Sequence, residues 1–262
     1  RMGRAVEELR FVTQSENRAT ALDIVSADAP IDRRELESRL DASHRTVIRV
    51  VNSLEERGYL RETDRGLRLT PFGAHVAERL DGTIEATETA LEFAPLLRNA
   101  PTALRDVPLE SLSGAELLVA SDADPFSILD RVLSLRAEAT RIREVAPGVQ
   151  KESIDQLAER VRRGDDVDVE AVISRHASDV AAERADYRDG HASTVESDAV
   201  DIYVHPEPLS FFAGIMDDRA AVAVSKDGQP YALVESDDPD LRAAVASIYE
   251  TYRAEATLKT EL

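Results

Sequence analysis

Two helix-start signals stand one short helix apart in residues 32–58, and that spacing narrows what the first part of this chain can fold into. Asp32-Arg33-Arg34-Glu35 sets an acid at a helix start with a Glu three residues on, a capping-box variant that serves backbone N–H groups the first turn leaves bare. Leu36 and Leu40 are the inward positions of that short helix. After a turn at Asp41-Ala42, Ser43 caps a longer helix running to Arg57, which Gly58 ends in a left-handed conformation. Val47, Val50, Val51 and Leu54 recur at three and four residues, the stripe of a helix with one face inside. The opposite face carries Arg45, Arg49 and Asn52, with His44 and Thr46 near its start. Two helices joined by a tight turn, the second with a polar outer face, make a helix-turn-helix whose donors suit base edges and phosphates.

The flanks agree. Val6, Leu9, Phe11 and Val12 predict a lead helix. A second, started by Ser15 or Asn17, turns Ala21, Leu22 and Val25 inward and breaks at Ala29-Pro30. Beyond Gly58, residues 59–63 and 66–70 read as two short strands around the turn Asp64-Arg65-Gly66, with Arg61, Arg65 and Arg68 projecting. A positive hairpin directly after such a helix is a wing, able to reach backbone or minor groove.

Overall charge opposes this reading until it is counted by region. The 262 residues hold 32 cations and 51 acids, a net of −19 that ordinarily argues against nucleic acid as a partner. Residues 1–80 hold 14 arginines and 14 acids, and residues 42–54 hold no acid; residues 81–262 hold 18 cations against 37 acids. Dense acid with only three lysines (Lys151, Lys226, Lys259) resembles the proteins of salt-accumulating archaea. Concentrated salt there screens like charges beyond about 3 Å. The acidity is therefore expected to be solvation, in a halophilic fold that loosens without salt. The absence of cysteine excludes disulfides, thiolate nucleophiles and cysteine-held metal, and suits a reducing compartment. No apolar run approaches the roughly 20 residues of a membrane span, and no signal-peptide core is present, so a soluble cytoplasmic protein is expected.

The run Leu54-Glu55-Glu56-Arg57-Gly58-Tyr59-Leu60, followed by Arg68-Leu69-Thr70-Pro71-Phe72-Gly73, resembles the winged-helix core of MarR-, ArsR- and TrmB-like archaeal regulators. That resemblance implies double-stranded DNA as partner. Ser43, His44, Arg45, Thr46, Arg49 and Asn52 on the second helix, and Arg61, Arg65 and Arg68 on the hairpin, are the candidate DNA contacts.

Phe72, Val76, Leu80, Ile84, Leu91 and Ala94 fall near one helical stripe between Pro71 and Pro95, with Asp81-Gly82 as an interruption. A partner chain is one place to bury it, giving a homodimer; the chain's own second domain is the other. The division expected is a winged helix-turn-helix domain over 1–80, a helical linker and dimerisation segment over 81–110, and a sensing domain over 111–262.

In that last part, strands at 116–120, 140–145, 167–174, 200–205, 211–216, 220–225 and 231–235 are predicted, with helices at 125–137, 152–163, 177–187 and 239–256. Strands alternating with helices, closed by a hairpin around Lys226-Asp227-Gly228-Gln229, give an α/β domain with a mixed sheet. Residues 220–224, 227–230, 232–239 and 249–255 resemble the C-terminal region of a haloarchaeal regulator group related to the methanogenesis-regulator family. The resemblance implies one half of a phospholipase-D-type fold. The catalytic His-x-Lys of that fold is missing, because Pro206-Glu207 follow His205 and Ala177-Ser178 follow His176. Dinucleotide, phosphate-loop, zincin and nucleophile-elbow motifs are absent too.

The chain is accordingly expected to be no enzyme and to use no cofactor or metal. His176, Arg184, Tyr187, His191, Tyr203, His205, Phe211 and Phe212 are candidate linings of an effector cleft near strand ends. The function expected is a sequence-specific DNA-binding transcription regulator, dimeric and modulated by a small-molecule effector or partner. The rival readings are a winged-helix interaction adaptor and a phosphodiester-acting enzyme.

Overall fold

The computed structural model describes residues 2–184, 187 and 197–259, which divide into two compact units, Arg1–Thr87 and Glu88–Leu262. His191, one of the expected cleft residues, lies outside the described residues.

The first unit runs α1 (Met2–Thr13), α2 (Glu16–Asp28), α3 (Arg33–Leu40), α4 (His44–Glu56), β1 (Leu60–Thr63), β2 (Gly66–Leu69) and α5 (Pro71–Glu92) up to Thr87. The caps at Asp32 and Ser43 do what their spacing predicts. The Asp32 carboxylate accepts from the backbone N–H groups of Arg34 and Glu35, both at 2.8 Å, an arrangement contributing about 1 kcal/mol. Ser43 accepts from Thr46 N–H at 3.3 Å. Gly58 takes φ +76° just beyond α4, where a side chain would be strained. The Val47, Val50, Val51 and Leu54 stripe is buried and joins Leu22, Ile31, Leu36, Tyr59 and Leu67 in one core. Ile31 exchanges two backbone hydrogen bonds with Leu67 (3.2 and 2.8 Å), which fixes the hairpin against the α2–α3 connection. Gly73 lies so close to Tyr59 that a Cβ there would stand 2.0 Å from its carbonyl oxygen.

Three expectations change. Ser15 precedes α2 without a side-chain capping bond. On α1, Val12 is buried while Val6 and Leu9 stay exposed. Tyr59 decides this by donating its hydroxyl proton to Glu8 at 2.9 Å, while Arg57 pairs with Glu8 at 3.2 Å and covers the Phe11 ring. Polar contacts, more than the apolar spacing, therefore set the roll of α1. Burial, followed by the Glu8 contact, pushes the Tyr59 hydroxyl up to about 12. Finally, α5 is unbroken at Asp81-Gly82. Gly73, Ala77 and Leu80 are its buried positions, Phe72, Ile84 and Leu91 remain exposed, and Ala94 starts a separate short helix, α6 (Ala94–Leu97).

The second unit is a mixed sheet of β3 (Glu116–Val119), β4 (Arg141–Ala146), β5 (Asp168–Ser174), β6 (Val200–His205), β7 (Phe211–Met216), β8 (Arg219–Lys226), β9 (Gln229–Ser236) and β10 (Thr257–Leu258). Their order is β10-β6-β5-β4-β7-β8-β9-β3. Strands β4, β5 and β6 are parallel and the remaining pairings antiparallel. One face packs Val145, Tyr203, Phe211 and Val222 on Leu241, Val245 and Tyr249 of α10 (Pro239–Glu255). The other packs Ile142, Val169, Phe212 and Leu233 on α7 (Ser127–Glu138), with α8 (Lys151–Arg163) and α9 (Arg175–Glu183) on the same side. Strands covered on both faces read as nearly continuous apolar runs, which is why β7 and β8 are legible in the sequence.

Residues 81–110 are not a bare connector. Phe93, Leu96, Leu104 and Leu112 are buried in the α10-side core, so residues from Glu88 onward belong to the second unit. α9 ends at Glu183, short of the expected 187, and β10 was not anticipated because two residues carry no alternation to read. Among the described residues no helix is long and apolar enough to cross a membrane.

Candidate nucleic-acid interface

The cap at Ser43 and the stripe facing the core leave one face of α4 outward. Ser43, His44, Arg45, Arg49 and Asn52 are exposed on it, and Thr46 is half-buried with its hydroxyl 3.0 Å from Ser43 Oγ. His44 turns back toward α3, its Nδ1 2.7 Å from Glu37. Arg61 and Arg65 are exposed on the hairpin and Arg68 is half-buried. Arg61 and Arg68 are direct cross-strand partners, a like-charge pairing that ordinarily costs stability.

Ion pairing ties up several nearby arginines and leaves these without an acid. Arg33 grips Glu62 through two N–H groups (3.1 and 2.8 Å) and reaches Glu55 at 3.4 Å. The Arg33 hydrogen bonds and charge hold the Glu62 carboxyl below its ordinary value. Arg57 is tied to Glu8 and Arg39 to Asp28. Two acids beside the outward face are thereby neutralised within the fold. Arg45, Arg49, Arg61, Arg65 and Arg68 have no acid partner among the described residues. Unpaired, planar, bidentate donors of this kind suit phosphate and guanine edges.

Sequence reasoning missed Ile48, which is 38% exposed on the same face. Its signal was its place one turn after Arg45, and an apolar side chain there suits a thymine methyl.

The expected cleft residues of the second unit are dispersed. Tyr203, His205 and Phe211 are buried on the α10 side of the sheet. Tyr203 sits in the core with the Arg253 guanidinium 3.3 Å from its ring centre. Phe211 meets Tyr252 edge-on at 5.4 Å. His205 lies against Tyr252 and Glu207 and lines a cavity of about 500 Å³ with them and Glu255. His176 and Arg184 are exposed on the other side, and Tyr187 is buried with Ile154 and Ala181 under the Arg184 guanidinium. Phe212 faces the α7 side and lines a separate cavity. Side-chain parity along neighbouring strands explains the split, since consecutive residues point to opposite faces.

Comparison with known families places both units. The HVO_A0261 N-terminal domain matches residues 6–92. The middle domain of the methanogenesis regulatory protein FilR1 matches residues 125–255, half of the chain. The chain belongs to the FilR1 middle-domain family. Its match spans α7 through α10, so the resemblance read from β8, β9 and the last helix extends over most of the sheet. Among curated proteins there is no match. Among solved structures, TrmBL2, an archaeal chromatin protein described as having a novel mode of DNA binding, aligns at 15% identity. That alignment covers 90% of this chain and 91% of that one, with a TM-score of 0.42. An IclR-family transcriptional regulator from Rhodococcus sp. aligns at 15% identity over 93% and 94%, with a TM-score of 0.21.

Proposed function

We propose that this FilR1-type chain is a dimeric, sequence-specific DNA-binding transcription regulator whose first unit is a winged helix-turn-helix. One observation carries the reading: the guanidinium groups of α4 and the hairpin stand outward without acid partners, in a chain that otherwise carries a large acid excess. Arg45, Arg49 and Asn52 enter the major groove. Ser43 and Thr46 hold phosphate, and Arg65 reaches the neighbouring groove. Arg61 and Arg68, costly opposite one another in the free protein, become favourable with a phosphate between them.

The exposed Val6 and Leu9 on α1 and Phe72 and Ile84 on α5 support a dimer, because a second copy would take these apolar side chains out of water. Two copies place two α4 helices on one duplex, at a spacing near one helical turn. The second unit, a non-catalytic relative of half a phospholipase-D-type fold, receives the effector. A differential affinity of about 1–3 kcal/mol between two dimer geometries suffices for control.

The test is an anisotropy titration of the protein's own promoter fragment in concentrated KCl. Parent protein binds, and Arg45→Ala/Arg49→Ala loses most of that affinity while its melting transition is unchanged. Equal binding by the double variant refutes α4 as the reader.

A further inference from the structure

The α7 side of the sheet holds two cavities at the carboxyl end of β4. The larger, about 340 Å³, lies between Ile128 and Val132 of α7, Phe212 of β7 and Ala223 of β8. The smaller, about 90 Å³, lies under α8 against Val169 and Ile173. They share a wall made by Arg136, Ala146, Gly148 and Ser153. Phe126 stands at the rim of the larger one with 68% of its surface exposed.

A buried cation is set into this apolar wall. The Arg136 side chain is 14% exposed, and that of Glu144 7%. Arg136 donates Nε and Nη2 to the two Glu144 oxygens at 2.9 and 2.6 Å, and Nη1 to Ser153 Oγ. A guanidinium has five N–H donors, so these contacts leave two unspent. The charged side chains lining either cavity are Arg136, Arg160 and Glu144, and Arg160 is paired with Asp165 just outside the lining at 3.7 Å, which leaves Arg136 as the cation with donors to spare. Stability alone does not call for this arrangement, because apolar side chains of similar volume serve a buried site as well as an ion pair does. A cation with spare donors at the junction of two apolar cavities matches a ligand with an acidic head and an apolar body.

We propose that the Arg136 cavity binds a small monocarboxylate of medium-chain size, whose carboxylate takes the unspent Arg136 donors and whose apolar body fills the space between α7 and Phe212. The inference rests on the effector reading of the second unit and names a chemical class for that effector.

Calorimetric titration of the full chain in concentrated KCl, with octanoate and with octanamide as its neutral counterpart, tests it. Octanoate binds at least about tenfold more tightly than octanamide. Val132→Phe, which fills the cavity, weakens both by about tenfold or more. Arg136→Met/Glu144→Leu removes both charges without orphaning either, keeps octanamide affinity and erases the preference for octanoate. Equal affinities in the parent, no binding of either at millimolar concentration, a preference that survives the double substitution, or octanoate binding untouched by Val132→Phe each overturn the proposal. Promoter binding by the ligand-free protein is measured alongside. Promoter binding without octanoate binding overturns this site alone, whereas octanoate binding without promoter binding overturns the regulator reading.

Discussion

Arginine does two different jobs in the two units. In the second, Arg131 and Arg219 converge on Glu235, whose side chain is 4% exposed, with contacts of 2.5, 2.8 and 3.1 Å. Arg136 holds Glu144, Arg143 faces Glu170 and Arg242 reaches Asp218. In the first unit, Arg33, Arg39 and Arg57 are tied in the same way, while the arginines of α4 and the hairpin are not. The residue type is constant, and the supply of nearby acid differs. An acid excess consumes guanidinium groups in folding; on α4 the acid-free stretch 42–54 keeps them available for an outside partner, and on the hairpin Arg33 takes up Glu62 instead of Arg61, Arg65 or Arg68.

The largest effect that sharpens this contrast is expected at Glu235. Glu235→Ala removes the buried carboxylate that Arg131 and Arg219, themselves about a third exposed, both grip, and should cost about 1.5–3 kcal/mol of second-unit stability, read by urea denaturation. A loss below about 1 kcal/mol would mean that the cluster is solvated and that the arginines are not consumed by folding at all.

Next in size is Arg49→Ala or Arg45→Ala. Each should weaken promoter binding by about 1–3 kcal/mol and leave the urea midpoint where it was. The reverse pattern, lost stability with intact binding, would break the comparison.

Acidification probes the same difference. Burial raises the Glu235 carboxyl, but the hydrogen bonds from Arg131 and Arg219 outweigh it and hold the group below its ordinary value of 4.5. Its contribution is therefore complete above that value and lost as pH falls through the depressed one. Second-unit stability should decline below about pH 4.5, and Glu235→Gln should flatten that decline. Glu62 of the first unit is also depressed by Arg33, yet it lies in solvent, where screening leaves such a pair little to contribute. Stability of the first unit should change less over the same range.

The smallest effect is at the hairpin. Arg61→Ala relieves the cross-strand repulsion with Arg68 and should stabilise the first unit by about 0.2–1 kcal/mol, while promoter affinity falls. Greater stability with undiminished binding would remove the hairpin from the interface.

Much of the first unit was legible because its signals are local. Asp32, Ser43 and Gly58 act within a turn of their own positions, and the Val47-to-Leu54 stripe follows from helix period alone. The strands of the second unit were legible for the same reason, since β7 and the middle of β8 are short apolar runs between turn residues. The pairing order was not, because it depends on contacts between strands distant in the chain.

By itself the amino-acid order determined where most of the helices and strands lie, which face of α4 is apolar, and that acid is scarce around it. Tertiary structure alone decided which arginines stay unpaired, because pairing needs partners such as Glu62 and Glu8 brought in from distant positions. It also decided that the candidate aromatic and histidine residues are spread over both faces of the sheet, with His205 and Phe212 lining separate cavities, and that a further space forms beside Arg136. Backbone preferences act over a few neighbouring residues, whereas ion pairs and cavities arise only once separate elements have packed.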